Sequence, residues 1–325
     1  MLKKFSLSVF TLLISTLALN AASQTTDFPN KPVRIVVPFP PGGATDITAR
    51  VVAEKLSAKW GQPVVIDNKA GAGGNVGSDL VAKSAPDGYN IILGVTGSHA
   101  INLSLYKKMP YHPLHDFEPL TQATIYPNAI VVNPQVPANN LTELIALLKK
   151  EPGKLSYGSD GNGTASHLGM EILKYKANFQ LTHIPYRGST PMITDLLGGT
   201  LMVGITGLPA VQPHLKAGKL KMIAITTAQR APGTPDYKTV AEQGVPNFNA
   251  APWAGFLAPK GTPKPIIDKL AKDISEALKQ PDVVQKMNEL GSTVVGNRPE
   301  EFRQFLNQQI DMWAEGVKIS GATVD

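Results

Sequence analysis

The 325-residue chain carries no Cys, 29 Gly and 27 Pro, with 17% charged residues against 42% hydrophobic ones and a formal net charge of +6. The missing Cys excludes a disulfide, a Cys-ligated zinc or iron–sulfur site, a thiol nucleophile and a lipid anchor on an N-terminal Cys. The hydrophobic fraction suffices for a buried core and argues against disorder, and the length predicts two domains of about 150 residues or one large one.

The N-terminus reads as a targeting segment. Lys3 and Lys4 precede an apolar run over residues 5–19, and Asn20-Ala21-Ala22-Ser23 supplies small residues suited to cleavage. The pattern predicts a signal peptide over residues 1–23 and a soluble, exported mature protein. The run is too short and too polar to persist as a membrane span. Its loss removes two Lys and no acid, which brings the charge down to +4. The remaining basic residues are scattered, with Lys107-Lys108 and Lys149-Lys150 the only mature pairs, so no nucleic-acid partner is expected.

Past the signal, residues 33–37 read as a buried strand and 45–59 as a helix with Ile47, Val51 and Val52 on one face. Strands follow at 64–67 and 91–95, and this β-α-β-α-β start predicts a parallel sheet covered on both faces. A second series has strands at 129–132, 155–157, 181–184, 202–205 and 220–226. Its helices are 141–150, capped by Asn139 or Asn140, then 164–177 and 191–197, so a second sheet is expected. The C-terminal block is mostly helical, with Ile266, Leu270 and Ile274 on one face and Phe302, Leu306 and Ile310 on another. With one further strand at 292–295, it is expected to pack back on the first sheet.

Three glycine-bearing turns join strands to helices. The first is Pro38-Phe39-Pro40-Pro41-Gly42-Gly43-Ala44-Thr45-Asp46. Glycine allows close approach of the backbone, and the free N–H groups of a helix start favour an anion. The alternative is a tight turn capped by Thr45 or Asp46. The second, Gly71-Ala72-Gly73-Gly74-Asn75-Val76, fails the dinucleotide fingerprint, because Val76 stands where its last Gly belongs. The third, Tyr157-Gly158-Ser159-Asp160-Gly161-Asn162-Gly163-Thr164-Ala165-Ser166-His167, is not a nucleophile elbow, because Tyr157 stands two before Ser159.

His112-x-x-His115 lies in a Pro-rich loop and reads as solvated; no metal or cofactor is expected. His99 and His167 each follow a Ser, and support for a ligand site and simple capping both stand as readings. Arg187, in Pro185-Tyr186-Arg187-Gly188, is the one Arg in a site-like loop, with a surface role at a helix start as its alternative. No activated base–nucleophile pair appears, so binding explains the pattern better than catalysis, and the chain is not expected to be an enzyme. A hydrolase or nucleotide-dependent enzyme remains the competing class.

The segment Phe28-Pro29-Asn30-Lys31-Pro32-Val33-Arg34, the first two glycine turns and Ala85-Pro86-Asp87-Gly88-Tyr89 resemble the Bug/TctC family. So do Gly161-Asn162-Gly163-Thr164-Ala165-Ser166-His167-Leu168, His183-Ile184-Pro185-Tyr186-Arg187-Gly188 and Asp195-Leu196-Leu197-Gly198-Gly199. Members of that family are periplasmic solute-binding components of tripartite tricarboxylate transporters. The resemblance implies an α/β two-domain clamshell, periplasmic binding protein-like, each domain a β-sheet flanked by helices. Domain 1 is expected over residues 26–126 plus 250–325 and domain 2 over 127–249, hinged near Tyr126-Pro127 and residues 250–253. It further implies a small carboxylate in the cleft, a periplasmic monomer, and handover to integral-membrane transporter subunits or, as an alternative, presentation to a sensor receptor.

Carried over residue by residue, the resemblance points to Phe39, Gly43, Ala44, Thr45 and Asp46 as ligand contacts, then to Thr96 and Ser98. In the second domain it points to Ser159, Gly163, Thr164 and Ala165, with Tyr186 and Arg187 nearby. Thr206, before Leu208-Pro209, stands where many members carry an acidic or amide residue. Without a carboxylate at that place, a non-amino dicarboxylate or an aromatic acid is expected ahead of an amino acid.

Overall fold

The computed structural model of the chain describes residues 28–231 and 233–324; the expected signal peptide lies outside the described residues. β1 (Val33–Val37) is the apolar run, with four of its five side chains buried. It leads into α1 (Ala44–Trp60), β2 (Val64–Asn68), α2 (Asn75–Ala82) and β3 (Asn90–Val95). β2 and β3 both pair parallel with β1, as the alternation predicts. A π-helical turn over Gly97–Ile101 and the short α3 (Asn102–Leu105) follow β3.

The sheet as a whole is mixed, which corrects the parallel expectation. Its order is β11-β4-β10-β3-β1-β2, where β4 is Phe117–Ile125, β10 is Trp253–Pro259 and β11 is Thr293–Val294. The cause is the route of the chain. It leaves this sheet at Ile125 and returns at Trp253, and these two residues pair across β4 and β10. An outgoing and an incoming strand that share one end of a sheet must run antiparallel. Neither strand is evident from the sequence pattern: β4 holds Glu118, Pro119 and Gln122, and Pro119 sits at a shift of register that accommodates its missing N–H.

The second lobe is a five-stranded sheet of order β7-β6-β8-β5-β9. Its elements are β5 (Asn128–Val132), α4 (Leu141–Lys150), β6 (Ser156–Ser159), α5 (Ala165–Ala177), β7 (Thr182–Pro185), α6 (Ser189–Gly198), β8 (Val203–Gly207), α7 (Leu208–Lys216) and β9 (Lys221–Ile225). β6 pairs parallel with β7 and β8, while β5, the incoming strand, is antiparallel to β8 and β9. Asn140, not Asn139, caps α4: its side chain accepts from Glu143 N at 2.9 Å, and Glu143 reaches back to Asn139 N.

After β10 come α8 (Lys264–Leu278), α9 (Pro281–Glu289) and α10 (Pro299–Ser320). α8 covers the first sheet, as expected. α10 does more than pack back on it: Phe302, Leu306 and Trp313 share one core cluster with Leu168 and Leu173 of α5. The last helix therefore lies against both lobes. Beside it the two crossings are bonded to each other, with Tyr126 N donating to Pro252 O at 3.1 Å, and the second is tied to the end of β9 by Ala250 N donating to Thr226 O at 2.9 Å. Among the described residues no helix is long and apolar enough to cross a membrane.

Candidate functional site: the cleft between the lobes

The turn after β1 delivers a helix start with no side-chain cap. Gly43 is the N-cap of α1, and neither Thr45 nor Asp46 fills that role. Asp46, in the first turn, instead braces the loop: its carboxylate accepts from Gly42 N at 2.9 Å, Arg50 Nε at 2.8 Å and Asn68 Nδ2 at 3.0 Å. Burial works to raise its pKa, but these donors prevail and hold it below the usual carboxylate value. Among the described residues no side chain claims the N–H groups of Ala44 and Thr45.

The turn after β6 is built differently. Thr164 caps α5, accepting from His167 N at 3.3 Å and donating to Gly161 O at 2.7 Å. Ser166 Oγ accepts from Asp160 N at 3.1 Å and so ties the loop to the helix start. The two helix starts face each other across a cavity of about 50 Å³. From the first lobe Phe39, Gly43, Ala44, Thr45 and Thr96 line it; from the second Thr164, Ala165 and Thr206 do. Eight of the residues singled out in the sequence therefore share one cavity.

The other six do not line it. Asp46 braces the first loop. Ser98 is buried and bonded to His99 Nδ1 at 2.8 Å. Ser159 is equally buried, with Oγ 2.7 Å from His183 Nε2. That Ser–His contact sits outside the cavity, so it does not form an activated nucleophile there. Gly163 acts through its carbonyl at the seam between the lobes, because a Cβ on Gly97 would come within 2.7 Å of it. Tyr186 and Arg187 line an adjoining hollow of about 550 Å³, which shares Phe39 and Asp160 with the inner cavity. Tyr186 donates to Asp195 at 2.7 Å, and burial with that carboxylate pushes its phenol up to about 12.

Sequence reasoning missed several lining groups. Tyr126 belongs to the first crossing, and burial raises its pKa despite a hydrogen bond with Thr45. Asn128, one residue past the crossing, is only 2% exposed, and its Nδ2 finds no partner. Ser166, Ser189 and Gly207 line the cavity as well. The decisive omission is Asp160, which lies inside a turn the sequence did single out. Thr206 Oγ1 donates to Asp160 Oδ1 at 2.6 Å. The cavity therefore holds a carboxylate beside Thr206, supplied by Asp160 rather than by position 206 itself. Desolvation pushes the Asp160 carboxyl up to about 6, against the opposing hydrogen bonds of Thr206 and Ser166. Among the described residues no Lys, Arg or His lines the inner cavity.

The histidines support rather than line. His99 is fully buried, edge-on to Phe117 at 4.8 Å, and desolvation lowers its pKa to about 3. His167 stacks on His183 at 4.2 Å behind the α5 turn, its Nδ1 accepting from Gly163 N at 3.4 Å. Burial holds these two at about 4 and about 3, so all three are neutral near pH 7. The rings of His112 and His115 lie 4.1 Å apart, and among the described residues no group of three or more His, Asp or Glu could hold a metal.

The lobes are closed on each other. Thr190 Oγ1 donates to Pro41 O at 2.8 Å across the cleft. A Cβ on Gly207 would stand 2.9 Å from Ala44 Cβ, and one on Gly43 would stand 3.0 Å from Ser189 Oγ. The cavity is thus a chamber formed by closure, with backbone donors on both walls.

The model of the tripartite tricarboxylate transporter family receptor, TctC, matches residues 48–321. The chain belongs to this family. It is 39% identical over 317 residues to protein BugT of Bordetella pertussis (strain Tohama I), covering 97% of each chain. Among solved structures it resembles R. palustris Rpa4515 with adipate, at 36% identity and a TM-score of 0.89 over 92% of this chain and 100% of that one. It also resembles MatC (Rpa3494) from Rhodopseudomonas palustris with bound malate, at 33% identity and a TM-score of 0.85 over 89% and 100% of the two chains. TctC receptors are periplasmic solute-binding proteins and not enzymes, and this chain has their two-lobed α/β fold.

Proposed function

We propose that this protein captures a small carboxylate between its lobes in the periplasm and delivers it to the membrane subunits of a tripartite tricarboxylate-type transporter. The observation that carries the reading is the chamber wall. It offers the unclaimed N–H groups of Ala44 and Thr45, the unpartnered Asn128 Nδ2 and the α5 start, with no basic side chain. Such a wall holds a carboxylate through hydrogen bonds and helix dipoles rather than an ion pair. The adipate and malate bound by the two structural relatives support the ligand class. Export rests on the signal pattern of residues 1–23.

In this reading the lobes are residues 26–126 plus 250–325 and residues 127–249, hinged at the paired crossings, and the protein works as a monomer. Closure buries the solute and creates the face that the membrane subunits meet. A thermal-shift screen of mono-, di- and tricarboxylates, amino acids and aromatic acids tests it. A true ligand at 100 times its Kd adds about 2.7 kcal/mol of stability. The expected result is a shift with at least one carboxylate, weakened by Asn128→Leu. A shift with a sugar or a cation and with no carboxylate contradicts the reading.

A further inference from the structure

We propose that Asp160 is the specificity-determining residue of the chamber, and that it selects solutes carrying an ammonium beside the carboxylate, that is, amino acids rather than simple carboxylic acids. This rests on the reading of the chamber as a carboxylate site.

Asp160 is a carboxylate without a counter-ion. Its protein partners in the chamber are two hydroxyls, Thr206 and Ser166, and among the described residues no basic side chain lines that chamber. Thr206 fixes Oδ1, so the carboxylate has a set direction. A desolvated charge is normally paired. Among the described residues no Lys, Arg or His lines the inner chamber, and Arg187, in the hollow that Asp160 shares, makes no ion pair with it, which leaves the place for a cation that arrives with the solute.

The charges of the chamber agree. The starts of α1 and α5 each present roughly half a positive charge. Asp160 sets one negative charge against them. A zwitterion fits both walls, with its carboxylate at the helix starts and its ammonium at Asp160. A dicarboxylate without an ammonium brings a like charge toward Asp160, which disfavours two ionised groups in one site.

The pH response follows. Desolvation holds the empty-site carboxyl at about 6, so acidification protonates the acceptor and weakens a bound ammonium. Tyr126 is the other titratable group on the chamber wall, and Tyr106, Tyr186 and Arg187 line the adjoining hollow. Burial raises the three phenols further above their ordinary value, so the tyrosines stay neutral between about pH 5 and 7.5. His167 and His183, behind α5, stay neutral down to about 4 and about 3.

The test is calorimetry on the mature full chain with two matched series: L-alanine, L-lactate and propionate, and L-aspartate, L-malate and succinate. The expected result is that the amino member of a series binds at least tenfold more tightly than its hydroxy and unsubstituted counterparts. Asp160→Asn should remove that advantage while circular dichroism shows an unchanged fold. Wild-type affinity for the amino member should fall as pH drops from about 7.5 to 5, an arm that needs no variant. Thr206→Val, which keeps the carboxylate and frees its orientation, should narrow the advantage. Binding of the hydroxy or unsubstituted acid as tightly as the amino acid overturns the inference and leaves the carboxylate reading standing. So does an amino-acid affinity that is flat or rises on acidification. Binding of no member of either series, with a thermal shift from another acid that lacks an ammonium, overturns the inference alone; no binding of any carboxylate in calorimetry or in the thermal screen overturns both.

Discussion

A carboxylate taken out of water without a counter-ion resists ionisation, and Asp160 shows this in a carboxyl raised to about 6 from an ordinary 3.8. A proton is therefore bound more readily in the folded, ligand-free protein than in the unfolded chain. Stability carried by that difference grows as pH falls through about 6 and is complete below the unfolded value. Above pH 6 the ionised side chain is a liability of at most about 3 kcal/mol. Asp160→Asn keeps the partner for Thr206 and removes the charge. The ligand-free variant is expected to be more stable than wild type by roughly 1–2 kcal/mol near pH 7.5, with the gap closing toward pH 4. Denaturant melts at the two pH values measure this; a variant less stable at pH 7.5 would show that the carboxylate has a counter-charge within the protein. Asp46 is the opposite case. Arg50, Gly42 N and Asn68 hold it below the usual carboxylate value, and it serves the loop rather than the ligand.

At the level of elements, the seam between the π-helical turn after β3 and the α5 turn limits how far the lobes close. A Cβ on Gly97 would meet the Gly163 carbonyl at 2.7 Å, and a backbone oxygen cannot swing aside as a side chain would. Gly97→Ala is expected to lower solute affinity at least tenfold, with the melting temperature of the ligand-free protein little changed. Gly198→Ala, at a helical position with no atom within 4 Å of the added carbon, should bind as wild type does. Calorimetry on the pair checks this, and equal affinities would show that the seam does not govern closure. The elements themselves were legible where a strand is a continuous apolar run, as in β1, or where a helix carries its stop and start signals, as in α4 with Asn140 and Glu143. β4 and β10 were not. The burial of β4 is decided by partners 130 residues away, and its Pro119 and Gln122 are tolerated by a register shift that no local pattern announces. The first and third glycine turns hold six of the eight chamber residues that the resemblance pointed to, and Thr96 and Thr206 are the other two. Asp160 was in view within the third turn, but only the pairing of β6 with β8 brings it to Thr206. Tyr126 and Asn128 carry no local motif, and they reach the chamber because the crossing passes beside it.

For the whole molecule, function depends on two sheets joined by two bonded crossings and bridged by α10. Such a connection allows rotation of one lobe against the other about a narrow axis while the core cluster beneath α10 stays packed. The solute then acts as the contact that favours the closed arrangement, because only there do both helix starts reach it. The most direct test is a crystal structure of the protein saturated with its tightest-binding carboxylate. It should show the lobes closed and the solute in the inner chamber. Its carboxylate oxygens should lie within about 2.7–3.2 Å of Ala44 N or Thr45 N and of the α5 start. A solute bound outside that chamber, for instance in the groove beside Trp253 and Phe305, with only water between the helix starts, would contradict the account.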